Sequence, residues 1–389
     1  MFEMPALHAA PRRPGVAVFA LAWLGALLCA TSACHAQPPW PDWQAFADRF
    51  VQADGRVVDL TFERKSTSEG QSYGLFFALV GNDRARFDAI LDWTSQNLAG
   101  GELGARLPGW CWGRLDDGRW GLKDSNAAAD ADLWIAYDLL EAARLWKAPA
   151  YAVTARALLA RIAAQEVVET GEAGPLLLPA PVGFALGDGR WRIDPSYLPN
   201  PLFRYLATVE PDGPWRRVWE AYVRLWPQIY ASGIAPDLVL VDRQGRVSAD
   251  AQRPTASYDA IRVYLWAAMA GEDGAELVRR LKPFAELIRA AGAPPEEVET
   301  ASGRAVPKAW SPIGFMGASL PFLDALGERE LLARVRARLQ LERGKARLGR
   351  SSNYYDEALV LFGLGWLEGR YRFDAEGRLQ PAWAAPATP

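Results

Sequence analysis

Apolar residues recur at helical spacing along almost the whole of this 389-residue chain, interrupted by short loops containing Gly and Pro rather than by a long linker. The spacing predicts about a dozen helices, over 40–54, 70–80, 84–97, 127–146, 151–165, 202–209, 215–231, 258–271, 275–291, 313–326, 329–343 and 355–368. Several of these, 127–146 and 355–368 above all, are apolar nearly all round, and such a helix needs protein on every side. Others, beginning at Ala275 and Arg329, carry a charged face that belongs against water. Inner helices alternating with outer ones predict an all-α toroid, although periodicity alone does not count the pairs. Strand-like pieces at 57–61, 176–184, 191–193 and 238–247, the last with a Gln244-Gly245 turn, predict short β-hairpins on one rim. There is no fixed-period repeat of the kind that makes a solenoid. A single domain is expected over 37–378, with a Pro/Ala-rich disordered tail over 379–389.

The first 36 residues are set apart from that fold. Arg12 and Arg13 precede an apolar run from Val16 to Cys29, and small residues follow up to Ala36, the pattern of a cleaved export signal. The run is short for a bilayer span of about 20 residues. The expected location is therefore periplasmic or secreted, with a lipid anchor at Cys34 as the lesser alternative. Both histidines, His8 and His35, lie in this segment, so the mature chain has no imidazole. Ser-His-Asp and Cys-His catalysis and His-ligated zinc are thereby excluded. Cys29 and Cys34 leave as well, and the remaining Cys111 has no partner for an intramolecular disulfide. No metal or cofactor is expected. A formal charge of −3 with no basic run gives no footprint for nucleic acid.

A hydrolase without histidine turns to carboxylates, and three stand out near predicted helix starts. Glu69 lies in Ser66-Thr67-Ser68-Glu69-Gly70-Gln71-Ser72-Tyr73-Gly74. A capping box from Ser66 to Glu69 is the ordinary reading, but Gly70 and Gly74 are poor helix residues and leave room for something to approach beside Glu69. Asp130 and Asp132 fall in the all-round apolar helix, where a charge needs partners. Asp130 is the better site candidate, since its neighbours on that face, Trp134 and Tyr137, are aromatic. Asp259 is expected in the first turn of a helix capped by Ser257, one turn before Arg262. An ordinary ion pair would explain that spacing; a helix start and a guanidinium also favour the ionised state that a general base needs.

Taken together, Ser68-Glu69-Gly70-Gln71-Ser72-Tyr73-Gly74, Trp110-Cys111-Trp112-Gly113, Ala129-Asp130-Ala131-Asp132 with Ile135-Ala136, Tyr258-Asp259-Ala260-Ile261-Arg262 and Tyr354-Tyr355-Asp356 resemble glycoside hydrolase family 8, and within it the endoglucanases associated with bacterial cellulose synthases. The resemblance spans the mature chain. It implies an (α/α)6 barrel with a long cleft and an inverting endo-β-1,4-glucanase, acting as a monomer in association with a cellulose synthase complex. It also implies Glu69 as proton donor, Asp259 as the base and Asp130 as the carboxylate beneath the sugar at the cleavage point. Ala129 departs from the family pattern, which has Ser or Thr there. Inversion requires the acid and base to lie about 6.5–9.5 Å apart, leaving room for a water. Asp130, if close to Glu69, would also help keep the donor protonated.

Sugar rings present apolar C–H faces, so Tyr73, Trp110, Trp112, Tyr197 and Tyr355 are candidate platforms, with Arg262 holding either the base or the sugar. Mixed-linkage glucan, xylan and chitosan are alternative substrates. A non-catalytic glucan-binding protein would need the aromatics but not the acid and base. A polysaccharide lyase is disfavoured by the absent histidine and the lack of an arginine cluster for uronic acids.

Overall fold

Each outer helix is followed along the chain by an inner one. The computed structural model describes residues 40–308, 310–347 and 353–385, and the predicted export segment with Cys34 lies outside them. In chain order, α1 (Pro41–Phe50) precedes α2 (Ser68–Val80), α3 (Arg84–Leu98) precedes α4 (Ala129–Leu145), and α5 (Pro149–Gln165) precedes α6 (Asn200–Val209). Next, α7 (Trp215–Ile229) precedes α8 (Ala260–Met269), α9 (Ala275–Arg280) and α10 (Pro283–Ala291) together precede α11 (Ile313–Ala325), and α12 (Arg329–Arg347) precedes α13 (Tyr354–Leu367). The helix expected over 275–291 is split in two because Pro283 has no N–H to continue the ladder.

The inner helices α2, α4, α8, α11 and α13 are buried along nearly their whole length, as the all-round apolar pattern requires. The last of them packs against α1 and α2 and so closes the ring. Between α11 and α13 the backbones touch: a Cβ on Gly363 would sit 1.9 Å from the Gly317 carbonyl oxygen, which only glycine allows. The hub is filled by rings from four inner helices. Phe76 lies edge-on to Trp134 at 5.1 Å and stacked on Phe362 at 5.1 Å, with Trp266 edge-on to Phe362 at 5.2 Å. These aromatics are core, and they make a solid floor under whatever lies above.

The long connections all run from an outer helix into an inner one, and they carry the β structure. The sheets there are β1 (Ser66–Thr67), β2 (Cys111–Arg114) and β3 (Trp120–Asp124); β4 (Val167–Glu169) with β5 (Pro175–Leu177); β6 (Arg190–Ile193), β7 (Val239–Asp242) and β8 (Val247–Ala249); and β9 (Thr255–Ala256), β10 (Val298–Glu299) and β11 (Arg304–Ala305). Hairpins therefore gather on one rim, as expected, and it is the rim on which the inner helices begin. Their N-terminal dipoles, which favour negative charge, open there together. The strand expected at 57–61 is instead a turn, because the Asp59 carboxylate accepts from Thr61 N (2.8 Å), Thr61 Oγ1 (2.7 Å) and Phe62 N (3.1 Å).

The tail expected to be disordered from 379 onward is ordered through Ala385. β12 (Tyr371–Phe373) pairs with β13 (Leu379–Pro381), and Leu379 is completely buried. Its N–H donates to the buried Glu141 carboxylate at 2.7 Å, and its carbonyl accepts from Arg144 at 2.6 Å. Composition reads as disorder, but one apolar side chain and a buried carboxylate in need of a donor pin the segment to α4.

Candidate active site

Three carboxylates from three inner helices meet on one guanidinium. Arg262, in the first turn of α8, keeps only 1% of its side-chain surface exposed. Its Nη1 donates to Glu69 Oε2 at 2.7 Å and to Asp130 Oδ2 at 2.6 Å, and its Nη2 donates to Asp259 Oδ1 at 3.0 Å. A planar fork with five donors can serve acceptors spread along its edge, whereas the three donors of a lysine all radiate from one nitrogen. Because one guanidinium carries them, the bonded oxygens of Glu69 and Asp259 are at most about 8 Å apart, within the upper limit for an inverting pair.

Glu69 is free to take part because it does not cap its helix. Thr67 does: its Oγ1 accepts from Gly70 N at 3.0 Å, while Ser66 lies in β1 and accepts from Arg56 Nε at 2.8 Å. The capping box from Ser66 to Glu69 is therefore not formed. Gly70 makes the room expected of it, since a Cβ there would meet the Tyr354 ring at 3.0 Å. Tyr354 donates to Thr67 or accepts from it at 2.7 Å and donates to Glu69 Oε1 at 3.4 Å. Burial pushes the Glu69 carboxyl up to about 8 against the opposing pull of Arg262, and the charges of Asp130 and Asp259 add to the rise; 19% of the side chain stays exposed. Glu69 is thus protonated at neutral pH yet reachable from the cleft, as a proton donor must be. If Asp130 contributes to that rise, Asp130→Asn moves the alkaline limb of the kcat/KM profile to lower pH, by up to about one pH unit. A limb that stays in place separates the two groups.

Asp130 lies in the first turn of α4, where Ala128 occupies the N-cap without a side-chain bond. The missing hydroxyl at Ala129 is bypassed: its N–H donates to Pro179 O at 2.9 Å, and Asp130 Oδ1 accepts from Ala131 N at 2.8 Å. Behind it, Asp132 and Glu166 are fully buried and face each other. Burial raises both carboxyls well above their usual range. Asp132 faces the end of α5 and makes no hydrogen bond or ion pair to Glu69, Asp259 or Arg262 among the described residues.

Asp259 is at the N-cap of α8, which starts two residues later than expected, and 29% of its side chain is exposed. Its Oδ2 accepts from Arg253 Nη2 at 3.3 Å. Asp237 accepts from Ser257 N at 2.7 Å and Ala260 N at 2.9 Å, replacing the cap expected from Ser257. Neither Asp237 nor Arg253 was marked by the sequence, because both reach the site from a rim loop with no helical or motif signal.

The aromatic candidates divide. The Tyr197 ring lies 5.3 Å from the Arg262 guanidinium, and Tyr355, half-buried, donates to Tyr258 O at 2.5 Å, next to Asp259 in the chain. Trp110 is exposed, and its backbone is clamped between Ser68 N (3.0 Å), one residue from Glu69, and Asn126 O (2.8 Å). Tyr73 is not a platform: its ring is buried edge-on against Trp134 and Phe362, and only its hydroxyl reaches Arg262, at 3.2 Å. Trp112 is also turned away. It pairs with Ser66 while Cys111 pairs with Thr67, so strand alternation puts it on the face opposite the Thr67–Tyr354 contact, edge-on to Trp93 at 5.7 Å.

The model of the family described as Glycosyl hydrolases family 8 matches residues 11–369. An endoglucanase of Xanthomonas axonopodis pv. citri (strain 306) is 46% identical over 367 residues, covering 93% of each chain. One of Escherichia coli (strain K12) is 42% identical over 362 residues, 92% of this chain and 95% of its own. Among solved structures, the endo-1,4-D-glucanase from Vibrio fischeri ES114 is similar with a TM-score of 0.84 at 38% identity, over 89% of this chain and 100% of that one.

Proposed function

The chain belongs to glycosyl hydrolase family 8, and from that premise we propose that it is an endo-acting β-1,4-glucanase that cleaves cellulose-like glucan with inversion, Glu69 being the acid and Asp259 the base. The observation that carries the assignment of roles is the single buried guanidinium that gathers Glu69, Asp130 and Asp259. Endoglucanase relatives and the similar endo-1,4-D-glucanase structure support the substrate class.

In this mechanism a glucan lies along the hairpin rim, with Trp110 and Tyr197 flanking the reaction centre. Glu69 gives its proton to the departing glycosidic oxygen as the bond from that oxygen to the anomeric carbon breaks. Asp259 takes a proton from a water that bonds to the opposite face of the same carbon. The electron pair of the broken bond leaves with the oxygen, and proton exchange with solvent restores both groups. Asp130, held by Arg262, stabilises the positive charge that develops on the sugar ring. Mixed-linkage glucan and xylan are the nearest alternative substrates, and chitosan is less suited because an aspartate stands at the base position. Export by the first 36 residues and work beside a cellulose synthase complete the proposal.

Proton NMR of the products released from cellopentaose tests it directly. The α-anomer should appear first and then mutarotate, and Asp259→Asn should abolish its formation. Initial release of the β-anomer would mean retention and would overturn the assignment of acid and base.

A further inference from the structure

We propose that Asp237 and Arg253 form a bracket that positions Asp259 for water activation, keeping the base from being spent on capping its own helix. The inference rests on the reading of Asp259 as the base.

An aspartate at an N-cap ordinarily folds its side chain back onto the free N–H groups of the first turn, in an extended backbone conformation. Asp259 does neither. Its backbone is helical, with φ −79° and ψ −51°, and its side chain makes no capping bond. The cap comes from elsewhere. Asp237, buried in the loop just before β7, accepts through Oδ1 from Ser257 N at 2.7 Å and Ala260 N at 2.9 Å, the amides that flank Tyr258 and Asp259. The other side of the same segment is also pinned: β9 pairs with β10, and Ser257 Oγ donates to Glu296 O at 2.8 Å. Asp259 is left with a fixed backbone and a released carboxylate.

That carboxylate is then held from both ends. Arg262 takes Oδ1, and Arg253 Nη2 lies 3.3 Å from Asp259 Oδ2 and also 3.3 Å from Asp237 Oδ2. Arg253 thereby ties the base to the residue that caps its helix. The two arginines differ in a way that matters. Arg262 is buried, whereas 51% of the Arg253 side chain is exposed and its bonds are longer. Arg253 is the contact that an incoming water or sugar hydroxyl can displace, so the oxygen it covers is the one facing the cleft.

Truncating Asp237 removes the cap and invites Asp259 to replace it. The chain keeps a capped helix but loses an aimed base, and a misplacement of about 1 Å is worth up to about a hundredfold in rate. Asn at 237 still accepts both amide bonds and loses only the charge that holds Arg253. Arg253 adds a positive charge beside a base that must be ionised. The other titratable groups around Asp259 are Arg262, Asp237, Asp194, Glu69, Tyr197 and Tyr355.

The test compares Asp237→Ala, Asp237→Asn, Arg253→Met and Asp259→Asn on a soluble cello-oligosaccharide, measuring kcat, KM, melting temperature and the pH profile. Asp237→Ala should lose about tenfold to a hundredfold in kcat with KM nearly unchanged, and Asp237→Asn should recover most of it. Arg253→Met should lower kcat by roughly tenfold with KM and melting temperature nearly unchanged, a split that a purely structural role would not cause. A lowered melting temperature with wild-type kcat in Asp237→Ala overturns the bracket, provided Asp259→Asn is inactive. If Asp237→Ala does not fold, wild-type kcat in Arg253→Met overturns it equally. An active Asp259→Asn instead overturns the reading of the base, a separate failure.

Discussion

Glu69→Gln should lower kcat on β-glucan by about 10² to 10⁴-fold, because the amide fills the same space but has no proton to give the departing oxygen. The fold should not suffer. With the wild-type carboxyl pushed up to about 8 by burial, the folded enzyme already carries a neutral Glu69 at neutral pH. Glutamine mimics that state, and its carbonyl oxygen can accept from Arg262 as Glu69 Oε2 does. The stability comparison has a definite sign. A carboxyl whose folded pKa lies above its unfolded value of 4.5 binds more protons folded than unfolded, so wild-type stability is eroded as pH rises from about 4.5 toward about 8. The variant has no such group. Its melting temperature should equal the wild type near pH 4 and exceed it increasingly up to pH 8, measured by calorimetry alongside reducing-sugar release. Activity equal to wild type removes Glu69 from the donor role, and a parallel pH dependence of melting removes the burial argument.

Arg262→Met should cost stability as well as activity. Methionine replaces the apolar stem but not the guanidinium, so it leaves Glu69, Asp130 and Asp259 without their shared cation. Removing one partner of a buried ionic cluster costs about 3–5 kcal/mol, a fall of roughly 5–10 °C in melting temperature for a chain of this size. Unpaired carboxylates hold protons more tightly folded than unfolded, so the deficit should shrink as pH falls toward about 4. Catalysis should be lost at every pH, since protonating the cluster removes the base along with the repulsion. Arg262→Lys separates charge from geometry: a lysine restores a cation but cannot span three acceptors, so stability should return in part and activity should not. A methionine variant that melts with the wild type would mean that the three carboxylates are solvated rather than gathered.

The ring of alternating helices was legible before any coordinates, because a helix that is apolar on all sides has one place to go, inside other helices. The hairpins on one rim followed from alternating short segments. At the site, Glu69, Asp130, Asp259 and Arg262 could be named from residue type and setting, since a chain whose only histidines, His8 and His35, fall in the segment expected to be an export signal leaves few other groups for acid-base work. The motifs also carried the family resemblance that supplied their roles.

Tertiary structure decided what each of those groups was free to do. Local spacing offered Glu69 as part of a capping box, and Thr67 took that position instead, because β1 turns Ser66 toward Arg56. It offered Ser257 as the cap of α8, and Asp237 supplies the bonds from another segment. Trp112 and Tyr73 look the same in sequence as Trp110 and Tyr197, but a strand register turns Trp112 away from the site and a helix face sends Tyr73 into the core. The tail at Leu379 reads as disorder until the buried Glu141 is set beside it. Hydrophobic pattern and residue chemistry are properties of neighbours along the chain, and they determined the ring and the acidic chemistry of its mouth. Which carboxylate is free, buried or aimed depends on partners 193 residues away, as between Glu69 and Arg262, or 285, as between Glu69 and Tyr354, and folding alone brings those together.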